Sequence, residues 1–387
     1  MLNVVRQDII TAGTAVNAAR TAVTSAGTAV VPVANAGTAV NLEDVSKVFT
    51  QWQRSGKFKD LLRNLVKPEK KVVAALDHVS LKVNNGEFVA YAGANGAGKS
   101  TTIKILSGIL QPTSGAVTVL GMSPEKSRVE LMRRIGVVFG QRTELWWDHP
   151  ISVSFEWKKT VWNIPAEVYR HQLEMVTELL DLGDLLNTFA RELSLGQRMR
   201  ADLAMMLLHN PELIFLDEPT LGLDVLAKRQ MINFLKRINR EQGTTIIVTS
   251  HDMDDLEEMA QRIVLLSRGQ IAFDGSFDEL RQLTGNLCRI RLVFQGSGTG
   301  MGADLGSSGQ SQGRLADLMN GGGVGGGKNV RLLAANGNSC EYEFDTAEVP
   351  VNVMLRQIAL LDGIVDIEIR KAPIEQIVAE LYTKWRG

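Results

Sequence analysis

A glycine-rich run at residues 93–100 constrains the fold of this chain more than any other feature. Its sequence fits the spacing G-x-x-x-x-G-K-[ST] of a phosphate-binding loop and reads Gly93-Ala94-Asn95-Gly96-Ala97-Gly98-Lys99-Ser100. Residues 87–92 before it are typical of a short buried strand, and residues 101–110 after it have apolar positions at helical spacing. The motif therefore lies between a strand and a helix, which favours a phosphate site over a chance glycine turn.

A loop of this kind binds phosphate through its backbone and two side chains. Glycines let several backbone N–H groups approach an anion closely, and the helix that follows directs the positive end of its dipole at the same point. Lys99 can reach the terminal phosphates of a nucleotide, and the Ser100 hydroxyl can bind Mg2+. The sequence therefore predicts a nucleotide site at the start of this helix.

Bulk composition argues against several classes of protein. The chain has 387 residues and a net charge of -1, so neither nucleic acid nor an anionic membrane surface is expected as its main partner. Cys288 and Cys340 stand alone and lack metal-ligand spacing. The least charged stretch, residues 21–42, is too polar for a spanning segment, so no membrane-spanning helix is expected.

Strands and helices alternate through the middle of the sequence, which predicts an α/β fold with a parallel sheet. Two of the predicted strands end in polar residues. Residues 213–216 run into Asp217-Glu218, and residues 244–249 run into Ser250-His251-Asp252. The carboxyl ends of parallel strands border ligand clefts, so the acidic pair is interpreted as functional rather than as a solvated strand end.

The chain divides into three predicted segments. Residues 1–39 repeat Ala-Gly-Thr-Ala-Val imperfectly and are interpreted as a low-complexity tail. Residues 40–284 hold the motifs, with strands expected ahead of the loop at 40–45, 72–76 and 79–83. Residues 285–387 are predicted to form a small α+β domain interrupted by a flexible glycine-rich insert at 296–327.

A tryptophan-rich segment follows the strand expected at residues 136–140. Four of the six tryptophans lie between Trp146 and Trp162. Tryptophan is enriched in interfaces, and charged residues lie among these four, so we interpret the segment as a docking surface. A satellite of the hydrophobic core is the alternative.

Six elements occur in an order that resembles the nucleotide-binding subunit of an ATP-binding cassette (ABC) transporter. They are loop 93–100, Gln141, the signature-like run Leu193-Ser194-Leu195-Gly196-Gln197, the pair Asp217-Glu218, the run Gly222-Leu223-Asp224, and His251. The resemblance covers residues 40–284. It implies a P-loop NTPase (RecA-like) core with an antiparallel β subdomain and a helical signature subdomain. Residues 140–148 and the small C-terminal domain look most like single-cassette subunits of multidrug-type exporters.

The resemblance also implies roles for these residues toward Mg-ATP. Glu218 is expected to orient or deprotonate the attacking water and His251 to contact the γ-phosphate, with Lys99 completing the catalytic set. The implied Mg2+ ligands are Ser100, Gln141 and Asp217. The implied nucleotide contacts are Phe49 on adenine and Gly93, Asn95, Gly96, Ala97, Gly98, Lys99, Ser100, Thr101, Gln141, Ser194, Gly196 and Gln197.

One of these assignments has open alternatives, and one motif departs from the family's usual sequence. Phe49 is a core residue in the alternative interpretation, and Trp52 and Phe58 are then candidates for the adenine contact. In the signature, Leu195 stands where the family usually has the first of two glycines, which bears on how closely a phosphate can approach. Ser194 and Gly196 keep the family's pattern.

The resemblance implies that ATP is sandwiched between two cassettes, so a second copy or a homologous cassette is an expected partner. A separate membrane permease is the other, because no spanning helix is expected in this chain. The implied function is an ATPase at the cytoplasmic face of the membrane that powers export of a drug-like or lipid-like substrate. A soluble ABC ATPase acting on ribosomes or DNA is the alternative. It is disfavoured because the chain has one cassette, no long coiled coil and no basic patch.

Overall fold

A computed structural model describes residues 37–52, 70–139, 143–283, 286–295, 330–336, 338–361 and 363–384. All of them belong to one compact unit. Most of the predicted N-terminal tail and the whole glycine-rich insert at 296–327 lie outside the described residues. Among the residues described, no helix has the length and apolar character needed to cross a bilayer.

A six-stranded sheet forms the centre of the molecule, and it confirms the predicted α/β fold. Its order is β5-β6-β7-β3-β8-β9; five strands are parallel, and the edge strand β9 runs antiparallel to β8. The inner strands are continuous apolar runs, as expected for a parallel sheet covered on both faces. The strands are β3 Phe88–Gly93, β5 Ile135–Phe139, β6 Leu213–Asp217, β7 Thr245–Thr249, β8 Arg262–Ser267 and β9 Gln270–Ser276.

A three-stranded antiparallel sheet packs against one face of this centre. It contains β1 Thr38–Trp52, β2 Lys70–Asn84 and β4 Ser114–Val119 in the order β2-β1-β4. The sequence predicted two strands at 72–76 and 79–83, which was wrong, because β2 is continuous. His78 adopts φ 54°, and the register with β1 shifts between Val45 and Lys47. The strand therefore continues past His78 with irregular pairing.

Helices cover both faces of the central sheet, and the sheet separates two apolar cores. Adjacent strand residues point to opposite cores: Ala90, Leu216 and Val248 face one, while Tyr91, Phe215 and Ile247 face the other. The helices are α1 Lys99–Leu106, α2 Arg128–Met132, α3 Ile151–Val161, α4 Ala166–Leu179, α5 Leu195–Leu207, α6 Val225–Gln242, α7 Met253–Met259 and α8 Phe277–Gln282.

The C-terminal segment forms a third, four-stranded antiparallel sheet in the order β11-β12-β10-β13. One helix, α9 Val351–Ile358, packs on it and closes a small core of its own. The strands are β10 Leu287–Phe294, β11 Val330–Asn336, β12 Ser339–Asp345 and β13 Ile364–Lys371. This arrangement has the α+β character expected of residues 285–387, whose boundary as a separate domain stays a prediction.

The last helix, α10 Ile374–Lys384, packs away from that small core. Its apolar residues Ile374, Ile377, Val378 and Leu381 are buried in the same core as helices α3 to α7. The Glu375 carboxylate accepts a hydrogen bond from the Met253 backbone N at 3.0 Å, at the first residue of α7. The end of the chain is therefore tied to the helix that follows His251.

Candidate nucleotide-binding site

The glycine loop joins β3 to α1 in a conformation that requires glycine at two positions. Gly98 caps α1 with φ 117°, and a Cβ there would lie 2.6 Å from the Ala75 carbonyl oxygen. A Cβ at Gly93 would lie 2.7 Å from the Leu266 carbonyl oxygen. Both glycines are thus needed for the close approach of neighbouring backbone, and the loop holds the amides at the start of α1 in place.

Lys99 lies inside the loop rather than in solvent. Its Nζ donates to the Gly93 carbonyl oxygen at 2.6 Å and to that of Ala94 at 3.4 Å, and the side chain is buried. Burial lowers the pKa of Lys99, while the carboxylates of Glu218 and Asp217 act in the opposite direction. The ammonium group is thus held against the glycine loop by two backbone carbonyl oxygens.

Asp217, at the end of β6, is bonded on both of its carboxylate oxygens. The Ser100 hydroxyl donates to Oδ2 at 2.9 Å, and the Thr249 hydroxyl donates to Oδ1 at 2.6 Å. Parallel pairing of β6 with β7 sets Asp217 directly beside Thr249. Two residues 117 positions apart in sequence, Ser100 and Asp217, therefore meet at the start of α1.

Glu218 follows Asp217 in a strained backbone conformation. Its backbone φ is 56°, in the left-handed region that residues other than glycine rarely adopt. The backbone N donates to the Thr249 carbonyl oxygen at 3.0 Å, and the carboxylate lies 3.3 Å from His251 Nδ1. With this backbone conformation, the Glu218 side chain lies at the carboxyl edge of the sheet, next to His251.

An ion-pair network anchors the segment after His251. Lys228 on α6 contacts Asp252 at 2.7 Å and Asp255 at 2.9 Å, and Asp252 also caps α7 by accepting from the Asp255 backbone N. Burial acts to raise the pKa of Asp252. The hydrogen bonds from Lys228 and the Asp255 backbone, together with the positive charge of Lys228, outweigh burial and lower the pKa. This network connects the helix after the Gly222-Leu223-Asp224 run to the histidine segment.

The signature-like run forms the start of α5. Ser194 is its N-cap and shares a capping box with Gln197, in which each side chain bonds the other's backbone N. Leu195 is 45% exposed, and a Cβ added to Gly222 would come within 2.8 Å of its side chain. In the described part of the chain, no hydrogen bond or ion pair joins Ser194, Gly196 or Gln197 to the glycine loop.

One predicted nucleotide contact lies in the antiparallel sheet, and other candidates lie outside the described residues. Phe49 lies in β1, half-buried, with Lys47 Nζ 5.3 Å from its ring centroid. The alternative Phe58 and the predicted metal ligand Gln141 lie outside the described residues, and the Trp52 side chain is not described. Their assignments, like those of the other site residues, stay predictions.

Sequence reasoning missed two residues that hold the site together. Thr249 was counted only as the last residue of a strand, although the pairing of strand ends would have set it beside Asp217. Asp202, in the middle of α5, had no motif to mark it. It accepts from the Thr143 hydroxyl at 2.8 Å and from the Glu144 backbone N at 3.1 Å, which ties α5 to the segment after Gln141.

The tryptophan segment divides between surface and core. Trp146, Trp147 and Trp157 are 38%, 49% and 38% exposed, and the rings of Trp146 and Trp157 lie 5.5 Å apart. Trp162 instead stacks on His209 at 4.8 Å and packs against the large core. Trp162 thus belongs to the core, whereas the docking role of the three exposed tryptophans stays a prediction.

A glycine loop between a buried strand and a helix, facing an acidic strand end across a parallel sheet, defines a P-loop NTPase. Comparison with known proteins narrows the class. The family model for the ABC transporter domain matches residues 76–221. ABC transporter ATP-binding protein NatA of Bacillus subtilis is 30% identical over 212 residues, 55% of this chain and 86% of the relative. The chain therefore belongs to the family of ABC transporter ATP-binding proteins, and it hydrolyses ATP.

Other relatives match over a smaller share of their length. A probable multidrug ABC transporter ATP-binding protein of Escherichia coli, YbhF, is 35% identical over 215 residues, 55% of this chain but 36% of the relative. ABC transporter A family member 1 of Dictyostelium discoideum is 34% identical, and the match spans 25% of its length. Among solved structures, the dimeric post-hydrolysis cassette MJ0796 bound to ADP and Pi has 25% identity and a TM-score of 0.51, covering 61% of this chain and 98% of that one.

Proposed function

We propose that this chain powers export of a drug-like or lipid-like substrate through a separate membrane permease. The observation that carries the proposal is the cluster at the carboxyl edge of the central sheet. Ser100 bonds Asp217 at 2.9 Å, and Glu218 lies 3.3 Å from His251. These are the groups that phosphoryl transfer to water requires, beside a buried lysine.

Each residue of the cluster has a chemical role in this proposal. Lys99 and the amides at the start of α1 hold the β- and γ-phosphates and offset their charge. Glu218 orients or deprotonates the attacking water, and its contact with His251 holds the imidazole at the same edge, toward the γ-phosphate. Catalysis then depends on positioning and charge rather than on a covalent intermediate.

Mg2+ fits the donors at this edge. The Ser100 hydroxyl and the Asp217 carboxylate are hard oxygen ligands that already lie within hydrogen-bond distance of each other. Among the described residues, no group of three or more His, Cys, Asp and Glu side chains could hold a metal by itself. That suits an ion which takes its other ligands from nucleotide phosphates, water and Gln141. When bound, it neutralises charge on the phosphates.

A second cassette completes the site in this proposal. Ser194 is exposed and Gly196 half-buried at the start of α5, so the positive end of this helix is accessible to an anion. We assign this end to the γ-phosphate of ATP held by a second copy or a homologous cassette. The dimeric state named for the MJ0796 cassette supports this arrangement.

The exposed tryptophans are the proposed permease contact. Trp147 lies over the guanidinium of Arg198 on α5 at 5.1 Å, so a partner on this surface would be linked to the signature helix. Such a contact keeps the chain at the cytoplasmic face of the membrane. Export is proposed from the resemblance at residues 140–148 and the name of YbhF; other relatives are named for methionine import.

Affinity capture of the full chain from solubilised membranes tests the function. We expect a polytopic membrane protein to co-purify with the wild-type chain, and Trp157→Ala to lose most of it while keeping ATP hydrolysis. Leu360→Ala is the matched control, because Leu360 is equally apolar and 69% exposed but lies in the C-terminal segment. Capture of ribosomal proteins or DNA in place of a membrane protein would overturn the proposal in favour of the soluble alternative.

A further inference from the structure

The hydroxyl of Thr249 lies between the two acidic residues of the site. Thr249 is the last residue of β7 and is fully buried. Its Oγ1 is 2.6 Å from Asp217 Oδ1 and 3.2 Å from the Glu218 backbone N. One buried side chain thus contacts both the proposed metal ligand and the proposed catalytic base.

The hydrogen-bonding capacity of the groups fixes the direction of each bond. The Glu218 N–H can only donate, and the Asp217 carboxylate can only accept when ionised. The single hydroxyl proton of Thr249 therefore goes to Asp217 Oδ1, and its lone pair accepts from Glu218. Ser100 donates to the other oxygen, Oδ2, at 2.9 Å, so the rotation of the Asp217 carboxylate is set from both sides.

Thr249 also supports the strained backbone of Glu218. The Glu218 N–H is shared between the carbonyl oxygen and the hydroxyl of Thr249, at 3.0 and 3.2 Å. A residue with φ 56° persists only where its surroundings hold it. Both holding atoms on the N–H side belong to the same residue, at the rigid end of a buried strand.

We propose that Thr249 is a positioning residue for metal binding and hydrolysis. Its hydroxyl orients Asp217 so that Oδ2 stays available beside Ser100, and it fixes the turn that aims Glu218. The inference rests on the proposed roles of Asp217 and Glu218. It assigns to Thr249 the function of an outer-shell group, which orients a ligand that touches the ion.

Two substitutions separate the hydroxyl from the shape of the side chain. Thr249→Val removes the hydroxyl and keeps the volume, whereas Thr249→Ser keeps the hydroxyl. For Thr249→Val we expect a rise of roughly 10-fold in the Mg2+ concentration at half-maximal hydrolysis and a similar fall in kcat. Thr249→Ser is expected to restore most of the metal response.

Nucleotide binding provides a readout that does not depend on turnover. A fluorescent ATP analogue is titrated into each full-length variant in excess EDTA and then with Mg2+. We expect Thr249→Val to match the wild type in EDTA and to lose most of the gain in affinity that Mg2+ provides, because the glycine loop is intact. A merely structural defect would weaken binding in both conditions.

Thr245 supplies a matched control on the same strand. It is also buried, and its hydroxyl accepts a hydrogen bond from the Gly86 backbone N at 2.9 Å, at the other end of β7. Thr245→Val is expected to leave the Mg2+ response unchanged. If Thr249→Val does not fold, Thr249→Ala carries the same expectation.

A wild-type Mg2+ response in a folded Thr249→Val or Thr249→Ala variant would overturn the inference, as would an equal change in Thr245→Val. Failure of the proposed function looks different. In that case Asp217→Asn itself would leave the Mg2+ response unchanged, whatever Thr249 does.

Discussion

At the scale of single residues, two acidic groups have unusual surroundings: Glu218 has a strained backbone, and Asp202 has a raised pKa. Glu218 has a backbone φ of 56°, in the left-handed region, which is unfavourable for a residue with a side chain and persists only where the surrounding structure holds it. Asp202 is a half-buried carboxylate on α5 that accepts two hydrogen bonds from the segment after Gln141. Each residue leads to a separate prediction.

Glu218→Gln is expected to bind ATP with near wild-type affinity and to hydrolyse it at least about 100-fold more slowly, because a general base contributes a factor of that size. The glutamine keeps the size of the side chain but cannot accept a proton. Binding is measured with a fluorescent ATP analogue and turnover by phosphate release. Unchanged turnover would remove Glu218 from its role.

The raised pKa of Asp202 predicts that the free energy of unfolding depends on pH. Burial raises the pKa of Asp202 from its ordinary value of 3.8 to about 6, although the hydrogen bonds from Thr143 and Glu144 act against the shift. The folded state therefore holds a proton that the unfolded state has released, and the free energy of unfolding falls as pH rises between these values.

Urea denaturation of the wild type and Asp202→Asn at several pH values checks this expectation. Relative to Asp202→Asn, which does not titrate, the wild type should lose on the order of 2 kcal/mol between pH 4 and pH 6.5 and nothing further above it. Parallel pH profiles of the two proteins would contradict the assignment.

At the scale of elements, α7 links the histidine segment to the end of the chain. Its N-terminus is capped twice: Asp252 accepts from the Asp255 backbone N at 3.1 Å, and Glu375 of α10 accepts from the Met253 backbone N at 3.0 Å. Tyr382 of α10 donates to the carbonyl oxygen of Leu266 at 2.9 Å, on the strand beside the glycine loop. The last helix thus contacts the helix that follows His251 and the strand that pairs with β3.

Glu375→Ala is expected to lower the free energy of unfolding by about 1 kcal/mol, as for other lost helix caps. Urea denaturation monitored by circular dichroism measures the change. Glu368→Ala is the matched control, because Glu368 is an exposed acid on β13. Equal stability of the two variants would show that α10 does not hold α7.

At the scale of the whole molecule, the sequence predicted the parts with strong local signals. The glycine spacing and the apolar strands determined the loop, the parallel sheet and the strand-end carboxylates. The β2 strand was divided wrongly because Asp77 and His78 interrupt its alternation, and only pairing with β1 shows that the strand continues. The sequence could not predict where α10 packs, because the periodicity of a helix shows which face is apolar but not which core buries that face.

The central claim is that the glycine loop and the acidic strand end bind one Mg-ATP molecule together. A structure of Glu218→Gln crystallised with Mg-ATP tests it most directly. We predict the β- and γ-phosphates on Lys99 and the loop amides, with the ion bound to Ser100 Oγ and near Asp217 Oδ2. Nucleotide held away from the loop, or an ion with no contact to either oxygen, would contradict the account.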